Sequence, residues 1–330
     1  MLKKRIVSLF CAALMLALPT ISAFAEAAPA ADDTAAAVQS TESAQEEHTL
    51  TYLALGDSIT AGLGMPDAQY ELDGVKYIMD ANYTGYSSSC FVAEVADELG
   101  LDREHAINFG LPALLSGDLV ELLETGTMAS TNRYSGMQYD TPQLQDYVRK
   151  ADVITIQIGA NDALVRFIGA LGQASNLKTT MVLYPFMTGA LRDFTPKSVF
   201  AFLGLIKQNE LTAAETKAVL KVLSSGISEI CNVAYDEVTA NIERSVQAIR
   251  ALNPDAKILL LGYNNPQPGN LVWTRYFNRL NRFEKQFAAQ EGLTYVSIPF
   301  TQTALDAHPT AAGHRYIGRQ IVKAYKKTLN

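Results

Sequence analysis

Three short polar segments of this chain each follow an apolar, strand-like run, and each supplies a residue type that acyl-transfer chemistry uses. The segments are 56–58 (Gly-Asp-Ser), 159–162 (Gly-Ala-Asn-Asp) and 306–309 (Asp-Ala-His-Pro). A serine can act as a nucleophile, a histidine as its general base, and an asparagine amide as a neutral donor to an oxyanion. Their combination predicts a site for nucleophilic acyl transfer that contains Ser58, Asn161 and His308.

Ser58 stands at a predicted strand-to-helix turn, where its hydroxyl would project above the sheet. The N-terminus of the following helix would stabilise negative charge that develops nearby. Either Asp57 or Ser58 could instead simply cap that helix. The segment also departs from the Gly-x-Ser-x-Gly pattern of α/β-hydrolases, because Thr60 occupies the position of the final glycine.

Asn161 and His308 also have simpler alternatives. An asparagine after a strand often closes an Asx-turn. His308 precedes Pro309, which favours an extended backbone just before a helix, and this placement suits a positioned base. His314 lies within the predicted helix and His105 opens a strand, positions that are more typical of structural residues. The histidines and cysteines have no metal-ligand spacing, so the sequence predicts no metal site.

The elements that must position these residues can be predicted from the apolar pattern. Five nearly continuous apolar runs indicate strands covered on both faces, at 50–55, 105–109, 152–158, 257–263 and 294–298. Helical patterns are clearest at 87–99, 236–252 and 309–325. The alternation predicts an α/β fold with a parallel sheet between helices, in which ligands bind beyond the carboxyl ends of the strands.

A long interval, 163–235, separates the third and fourth predicted strands. It contains two apolar clusters, 181–187 and 199–206, and we interpret it as a helical insertion on the same edge as the site. These clusters could line a pocket for a larger apolar acyl group. They could equally bury their own small core.

The three polar segments in this order resemble those of the SGNH or GDSL hydrolase family, and the resemblance covers residues 49–330 except the insertion. It implies a three-layer α/β/α, flavodoxin-like fold with a five-stranded parallel sheet, and ester hydrolysis through a serine without a cofactor. It implies that Ser58 attacks the ester, that His308 takes its proton, and that Asn161 donates to the oxyanion. The N–H of Ser58 is a further oxyanion donor in this interpretation.

Two positions depart from the family pattern. The remaining oxyanion donor of the family is a glycine N–H, and here Ala113 stands at that position, although alanine tolerates a positive φ poorly. The catalytic acid of the family is commonly three residues before the histidine, where this chain has Leu305. Asp306 could orient His308 if the segment is extended, because alternate residues then point the same way. Otherwise a backbone carbonyl must serve in a Ser-His dyad.

The N-terminal sequence predicts export. Lys3, Lys4 and Arg5 precede an apolar run that ends before small residues, so we expect a secretory signal peptide at 1–25 rather than a retained membrane span. Residues 26–48 are rich in Ala, Ser, Thr and Glu and predict a disordered acidic spacer. Residues 49–330 are then one domain, secreted or at the cell surface.

The charge and the cysteine content limit which binding partners and which covalent links the sequence predicts. Cleavage would leave 24 basic and 34 acidic residues and no Lys/Arg stripe for phosphates, so nucleic acid is not an expected partner. Cys90 and Cys231 would remain, either as a disulfide or as two separate buried thiols. The sequence thus predicts a secreted carboxylic ester hydrolase acting on a small-molecule, lipid or carbohydrate ester. Alternatives are a carbohydrate O-acetyl esterase of cell-envelope or dietary polysaccharide, and a non-catalytic surface binding module.

Overall fold

The computed structural model describes residues 49–65, 77–78, 87–132, 136, 138–187, 195–265, 270–304 and 306–329. Of residues 77, 78, 186 and 187 only the backbone is described. The predicted signal peptide at 1–25, the predicted spacer at 26–48 and Leu305 lie outside the described residues.

The described strands are short, as expected for apolar runs of five to seven residues. In chain order they are β1 (Tyr52–Gly56), β2 (Tyr77–Ile78), β3 (Ala106–Gly110), β4 (Tyr139–Asp140), β5 (Val153–Gln157), β6 (Lys257–Leu261) and β7 (Thr294–Val296). Five of them overlap the five predicted runs, whereas β2 and β4 form a separate parallel pair that the apolar pattern does not predict.

The main sheet is parallel throughout and has the strand order β3-β1-β5-β6-β7. Counted along the main sheet alone, this is the order 2-1-3-4-5 of flavodoxin-like folds. The predicted α/β fold with a five-stranded parallel sheet is therefore confirmed. Such folds bind ligands where the strand order reverses, which here is the crevice beyond the carboxyl ends of β1 and β5.

Helices connect these strands. They are α1 (Ser58–Ala61), α2 (Phe91–Leu99), α3 (Ser116–Thr125), α4 (Leu144–Lys150), α5 (Ala160–Ala174), α6 (Lys178–Met187), α7 (Pro196–Gln208), α8 (Ala213–Lys221), α9 (Ile227–Leu252), α10 (Leu271–Glu291) and α11 (Ala311–Lys327). The clearest helical pattern, predicted at 236–252, is the C-terminal part of α9, which continues a π-helical turn at Val222–Gly226.

The sheet separates two hydrophobic cores, because successive strand residues point to opposite faces. Leu53 and Leu55 of β1 belong to the core that contains α3, α4, α5, α9 and α10. Tyr52 and Ala54 of the same strand belong to the core under α2 and α11. The arrangement is thus three-layered, with helices on both faces. Within the described residues, none of the helices is long and apolar enough to cross a membrane.

The two cysteines lie on opposite faces of the sheet. Cys90 is buried in the core under α2 and α11, whereas Cys231 is buried in the other core. The two are not joined by a disulfide, and burial raises the pKa of Cys231 to about 11. Of the two sequence alternatives, the structure therefore has the separate buried thiols.

The predicted insertion at 163–235 is helical in its described part. It contains most of α5, all of α6, α7 and α8, and the first turns of α9. Helix α5 packs on α6 and α8, and α6 packs on α7. Met181 of the first apolar cluster is 54% exposed and Phe200 of the second is 74% exposed, so both side chains lie at the surface.

Glu284 on α10 is an ionisable residue that is buried in the protein core. Its side chain is 2% exposed, and its Oε2 has no hydrogen-bond partner among the described residues. Burial raises its pKa well above the usual value, because ionisation there would leave an unpaired charge in the core. The carboxyl group is accordingly held in its neutral form in the folded protein.

We expect Glu284→Gln to stabilise the protein increasingly as the pH rises. Above the unfolded pKa of about 4.3 the unfolded chain loses the proton that the folded chain keeps, which lowers stability by up to about 1.4 kcal/mol per pH unit. This loss continues until the pH passes the folded pKa, and the glutamine variant does not suffer it. Denaturant unfolding of both proteins between pH 5 and pH 8 measures the difference. Glu229→Gln, on an exposed position of α9, is the matched control. A difference at Glu284 that stays constant with pH would contradict the explanation.

Candidate active site

Ser58 is the first residue of α1 and follows β1 through a one-residue turn at Asp57. Asp57 caps the helix, since its Oδ1 accepts the Ile59 N–H at 2.9 Å. The Ser58 hydroxyl is not used for capping. Its Oγ instead lies 2.9 Å from Nε2 of His308, across 250 positions of sequence. Asp57 therefore caps the helix, and the Ser58 hydroxyl is left to contact His308.

The turn that carries Ser58 is fixed by a close approach between α1 and the end of β3. A Cβ at Gly110 would lie 2.1 Å from the backbone nitrogen of Ala61, so only glycine permits this packing. The side chain of Asn108 adds a polar link, donating to the Thr60 carbonyl at 2.8 Å. Both contacts hold the turn that carries Ser58 against β3, the strand that leads to Ala113.

His308 lies on a small hairpin that follows β7. The Ala304 N–H donates to the His308 carbonyl at 2.9 Å, and Thr303 forms an antiparallel bridge with Pro309. The hairpin ends at Thr310, whose hydroxyl caps α11. The sequence placed His308 at a strand-to-helix junction. The structure shows that this junction doubles back on itself before the helix begins.

Asp306 lies beside His308, but the backbone between them differs from the extended segment that we expected. Ala307 has a φ of 67°, in the left-handed region, so the assumption of alternating extended residues is wrong. The left-handed residue turns the Asp306 carboxylate back onto its neighbour. Oδ1 accepts the backbone N–H of His308 at 3.1 Å, and Oδ2 lies 3.4 Å from Nδ1.

The side chains of Asp306 and His308 lie in contact, but their geometry is not that of a well-directed hydrogen bond. Nδ1 of His308 is buried and makes no hydrogen bond of good geometry with the described residues. The Asp306 side chain is itself fully buried. Catalytic hydrogen bonds are often long in a protein without substrate and shorten in the complex. The carboxylate is thus in place to orient the imidazole.

Asn161, in the first turn of α5, directs its side chain towards the loop that follows β3. Its Nδ2 donates to the Leu114 carbonyl at 3.1 Å, and the residue is 7% exposed. The amide nitrogen carries a second hydrogen that a ligand could accept. Leu114 directly follows Ala113. One hydrogen bond therefore links Asn161 to the loop that contains the other predicted oxyanion donor.

Ala113 adopts the conformation that the resemblance requires of a glycine. Its φ is 60°, a region that costs a non-glycine residue about 1–2 kcal/mol. The surrounding loop is held on both sides. Leu114 donates its N–H to the Leu111 carbonyl at 3.2 Å, and the Tyr139 hydroxyl donates to the Pro112 carbonyl. The alanine therefore adopts the left-handed conformation that favours glycine, and the loop contacts offset the strain.

A buried polar network supports the same loop from below. The Asp162 carboxylate accepts the backbone N–H of Ser116 at 3.0 Å and its hydroxyl at 2.6 Å. Asn241 of α9 donates to the Ser116 hydroxyl at 3.0 Å. Burial raises the pKa of Asp162 to about 7, although the hydrogen bonds from Ser116 oppose this shift. The network joins α3, α5 and α9 beneath the candidate oxyanion donors.

Tyr263 is a residue of the site that sequence reasoning missed. Its hydroxyl donates to Oδ2 of Asp57 at 2.9 Å. It therefore holds the capping residue that immediately precedes Ser58. Burial raises the pKa of Asp57, and the Ile59 and Tyr263 hydrogen bonds oppose that rise. The available signal was its position as the last residue of the fourth predicted run, two residues beyond the end of β6.

The two other histidines in the described residues, His314 and His105, do not contact Ser58. His314 of α11 is fully buried, accepts the Phe91 N–H at 3.3 Å through Nδ1, and stacks on the Phe91 ring. His105 lies at the surface beside Asp102, 2.7 Å from Nδ1 to Oδ1. Across the part of the chain that the structure describes, no group of three or more His, Cys, Asp or Glu side chains could hold a metal ion.

Solved structures of similar fold include three that match nearly their whole length. A lipase from a goat rumen metagenome is 17% identical, with 84% of this chain and 97% of that chain covered and a TM-score of 0.47. An extracellular lipase from Streptomyces rimosus is 15% identical, with 84% and 100% covered and a TM-score of 0.45. A carbohydrate acetylesterase from Sinorhizobium meliloti is 13% identical, with 85% and 100% covered and a TM-score of 0.41.

No curated protein matches the sequence significantly. The sequence profile of the GDSL-like lipase/acylhydrolase family, by contrast, matches residues 54–316. The match covers most of the chain and includes Ser58, Asn161 and His308. The chain therefore belongs to the GDSL-like lipase/acylhydrolase family.

Proposed function

We propose that the protein hydrolyses carboxylic esters through an acyl-serine intermediate, with Ser58 as nucleophile and His308 as general base. The observation that carries the proposal is the 2.9 Å distance between Ser58 Oγ and His308 Nε2. A serine is a weak nucleophile at neutral pH unless an adjacent base accepts its proton. The distance is within the range over which such a transfer occurs.

In the first half-reaction Oγ of Ser58 attacks the ester carbonyl carbon while its proton passes to Nε2 of His308. The carbonyl oxygen becomes an oxyanion, and its donors are the N–H groups of Ser58 and Ala113 and the side chain of Asn161. The imidazolium then gives the proton to the alkoxy oxygen as the ester C–O bond breaks. The alcohol leaves, and the acyl group remains on Ser58.

In the second half-reaction water replaces the alcohol. It attacks the acyl carbon and gives one proton to His308, and a second oxyanion forms in the same donor set. His308 returns the proton to Ser58 Oγ as the carboxylic acid leaves. The cycle needs no cofactor, because proton transfer and oxyanion stabilisation are both supplied by side chains and backbone.

The substrate class has two candidates within this chemistry. One is an acyl ester of a lipid or small molecule, and the other is an O-acetyl group on a cell-envelope or dietary polysaccharide. A non-catalytic binding module on the same fold is the remaining alternative. The purified protein, assayed on p-nitrophenyl acetate, butyrate and longer esters, distinguishes them. Turnover confined to acetate favours the O-acetyl esterase, turnover that rises with chain length favours a lipid ester, and no turnover at any length favours the binding module.

We also infer that the protein works outside the cytoplasm. The support is the sequence of residues 1–25, where three basic residues precede an apolar run and a small-residue cleavage site. N-terminal sequencing of the chain recovered from the culture medium is expected to begin at Glu26.

Asp306→Asn is expected to lower kcat by roughly 10³- to 10⁴-fold near neutral pH, with little change in KM. The asparagine Oδ1 can still accept the backbone N–H of His308, but its NH2 group cannot accept a hydrogen bond from Nδ1 or stabilise the imidazolium. Steady-state kinetics on one soluble ester measures the effect. Asp102→Asn, which alters the surface Asp-His pair with His105, is the matched control. A loss of about tenfold or less would show that Asp306 is not the orienting acid.

A further inference from the structure

An exposed apolar surface lies on the helical insertion. Ten large apolar side chains are exposed in the described part of the chain, and five of them lie between residues 177 and 203. They are Leu177, Met181, Tyr184, Phe200 and Leu203. Scattered exposed apolar residues are normal on soluble proteins, whereas a cluster marks an interaction surface. We call these five residues the insertion face.

The insertion face has helical spacing on both of its helices. Met181 and Tyr184 of α6 are three residues apart, and Leu177 immediately precedes this helix. Phe200 and Leu203 of α7 have the same spacing of three. Residues at this spacing share one side of a helix. The two helices also pack on each other, so their exposed apolar sides belong to one region of the surface.

The charges of these two helices indicate what kind of partner the face suits. Helices α6 and α7 contain no Asp or Glu, and their charged residues are Lys178, Lys197 and Lys207. Lys178 is paired with Glu215, at 2.8 Å, whereas Lys197 and Lys207 are exposed on α7. The chain as a whole has a net charge of −7. A region with exposed lysines and no carboxylates on its helices is complementary to an anionic surface, whereas symmetric pairing of two copies through this face would bring the same lysines together.

We propose that the insertion face docks the protein on an anionic lipid surface, with Phe200 and Leu203 entering the headgroup region. Amphipathic helices with Phe and Leu on one side and lysines beside them bind in this way, lying in the plane of the interface. Each lysine close to such a surface adds to the attraction, which weakens with salt. The inference concerns surface attachment and does not depend on the chemistry proposed for Ser58.

The test measures binding rather than hydrolysis, so its outcome is independent of the proposed activity. Residues 26–330, the form predicted after cleavage, are sedimented with vesicles of phosphatidylcholine mixed with phosphatidylglycerol, or of phosphatidylcholine alone. We expect binding to the mixed vesicles at low salt and a partition roughly tenfold or more weaker for the Phe200→Ser, Leu203→Ser double variant. Leu329→Ser, which is 58% exposed at the other end of the chain, is the matched control.

The variants are expected to fold, because Phe200 is 74% and Leu203 is 45% exposed. The fluorescence of Trp273, the single tryptophan, checks this, since the residue is 3% exposed in the core. Absence of binding to the mixed vesicles would overturn the proposal. Binding that survives the double variant but is lost in Lys323→Glu, Lys326→Glu would place the contact on α11 instead. Association of copies by light scattering that the double variant abolishes, without vesicle binding, would assign the face to a dimer.

Discussion

Ser58→Ala is expected to lower kcat/KM on every ester by at least about 10³-fold and to abolish covalent labelling by a fluorophosphonate. The change removes the single oxygen that forms the acyl bond in the proposed mechanism. The fold is expected to remain, because Asp57 and not Ser58 caps α1. Residual hydrolysis from the oxyanion donors alone can persist, since binding and oxyanion stabilisation do not need the nucleophile.

The measurement pairs single-turnover kinetics with mass spectrometry of the labelled protein. Ser224→Ala, on an exposed position of the π-helical turn, is the matched control and should be labelled and turn over as the parent does. Labelling that persists in Ser58→Ala would show that another residue is the nucleophile.

His308→Ala is expected to be nearly as damaging as Ser58→Ala, whereas His314→Ala should keep kcat/KM within about tenfold of the parent. His308 Nε2 lies 2.9 Å from the nucleophile, so its loss removes the proton acceptor of the first step. His314 is buried under α2 and accepts the Phe91 N–H, so its loss should lower the melting temperature instead. The two variants thus separate a kinetic effect from a stability effect.

Added imidazole gives a further readout for the same pair. It should partly restore turnover in His308→Ala, because a free base can occupy the space that the substitution opens, and should not help His314→Ala. A larger kcat/KM loss in His314→Ala, with both proteins folded, would show that the wrong histidine was chosen.

The sheet could be predicted from the sequence because its signal is local. Strands covered on both faces must be apolar along their whole length, and the five predicted runs overlap the five strands of the main sheet. The β2 and β4 pair was missed because two-residue strands such as Tyr139–Asp140 have no periodicity to detect. Helix α9 was predicted too short. Its first turns continue from a π-helical segment, so no capping residue marks its start in the sequence.

The residue types of the candidate site were also readable from the sequence, since Ser58, Asn161 and His308 each follow a predicted strand. The path by which His308 reaches Ser58 could not be read from the sequence. Strands β1 and β7 are three places apart in the sheet, about 14 Å at the usual spacing. His308 reaches Ser58 because the chain after β7 turns back in a hairpin through the left-handed Ala307, a conformation that alanine as a residue type does not predict.

The sequence by itself determined the strands, the order of the polar segments and the family resemblance, because these depend on residue type and short-range spacing. The tertiary structure decided which partner each polar group has. Asp57 binds Ile59 and Tyr263, leaving Ser58 to His308, and Ala113 and Ala307 both take left-handed conformations that alanine avoids unless its surroundings impose them. A preference of about 1–2 kcal/mol against such a conformation can be overruled by packing and hydrogen bonds from distant segments, and these exist only in the folded chain.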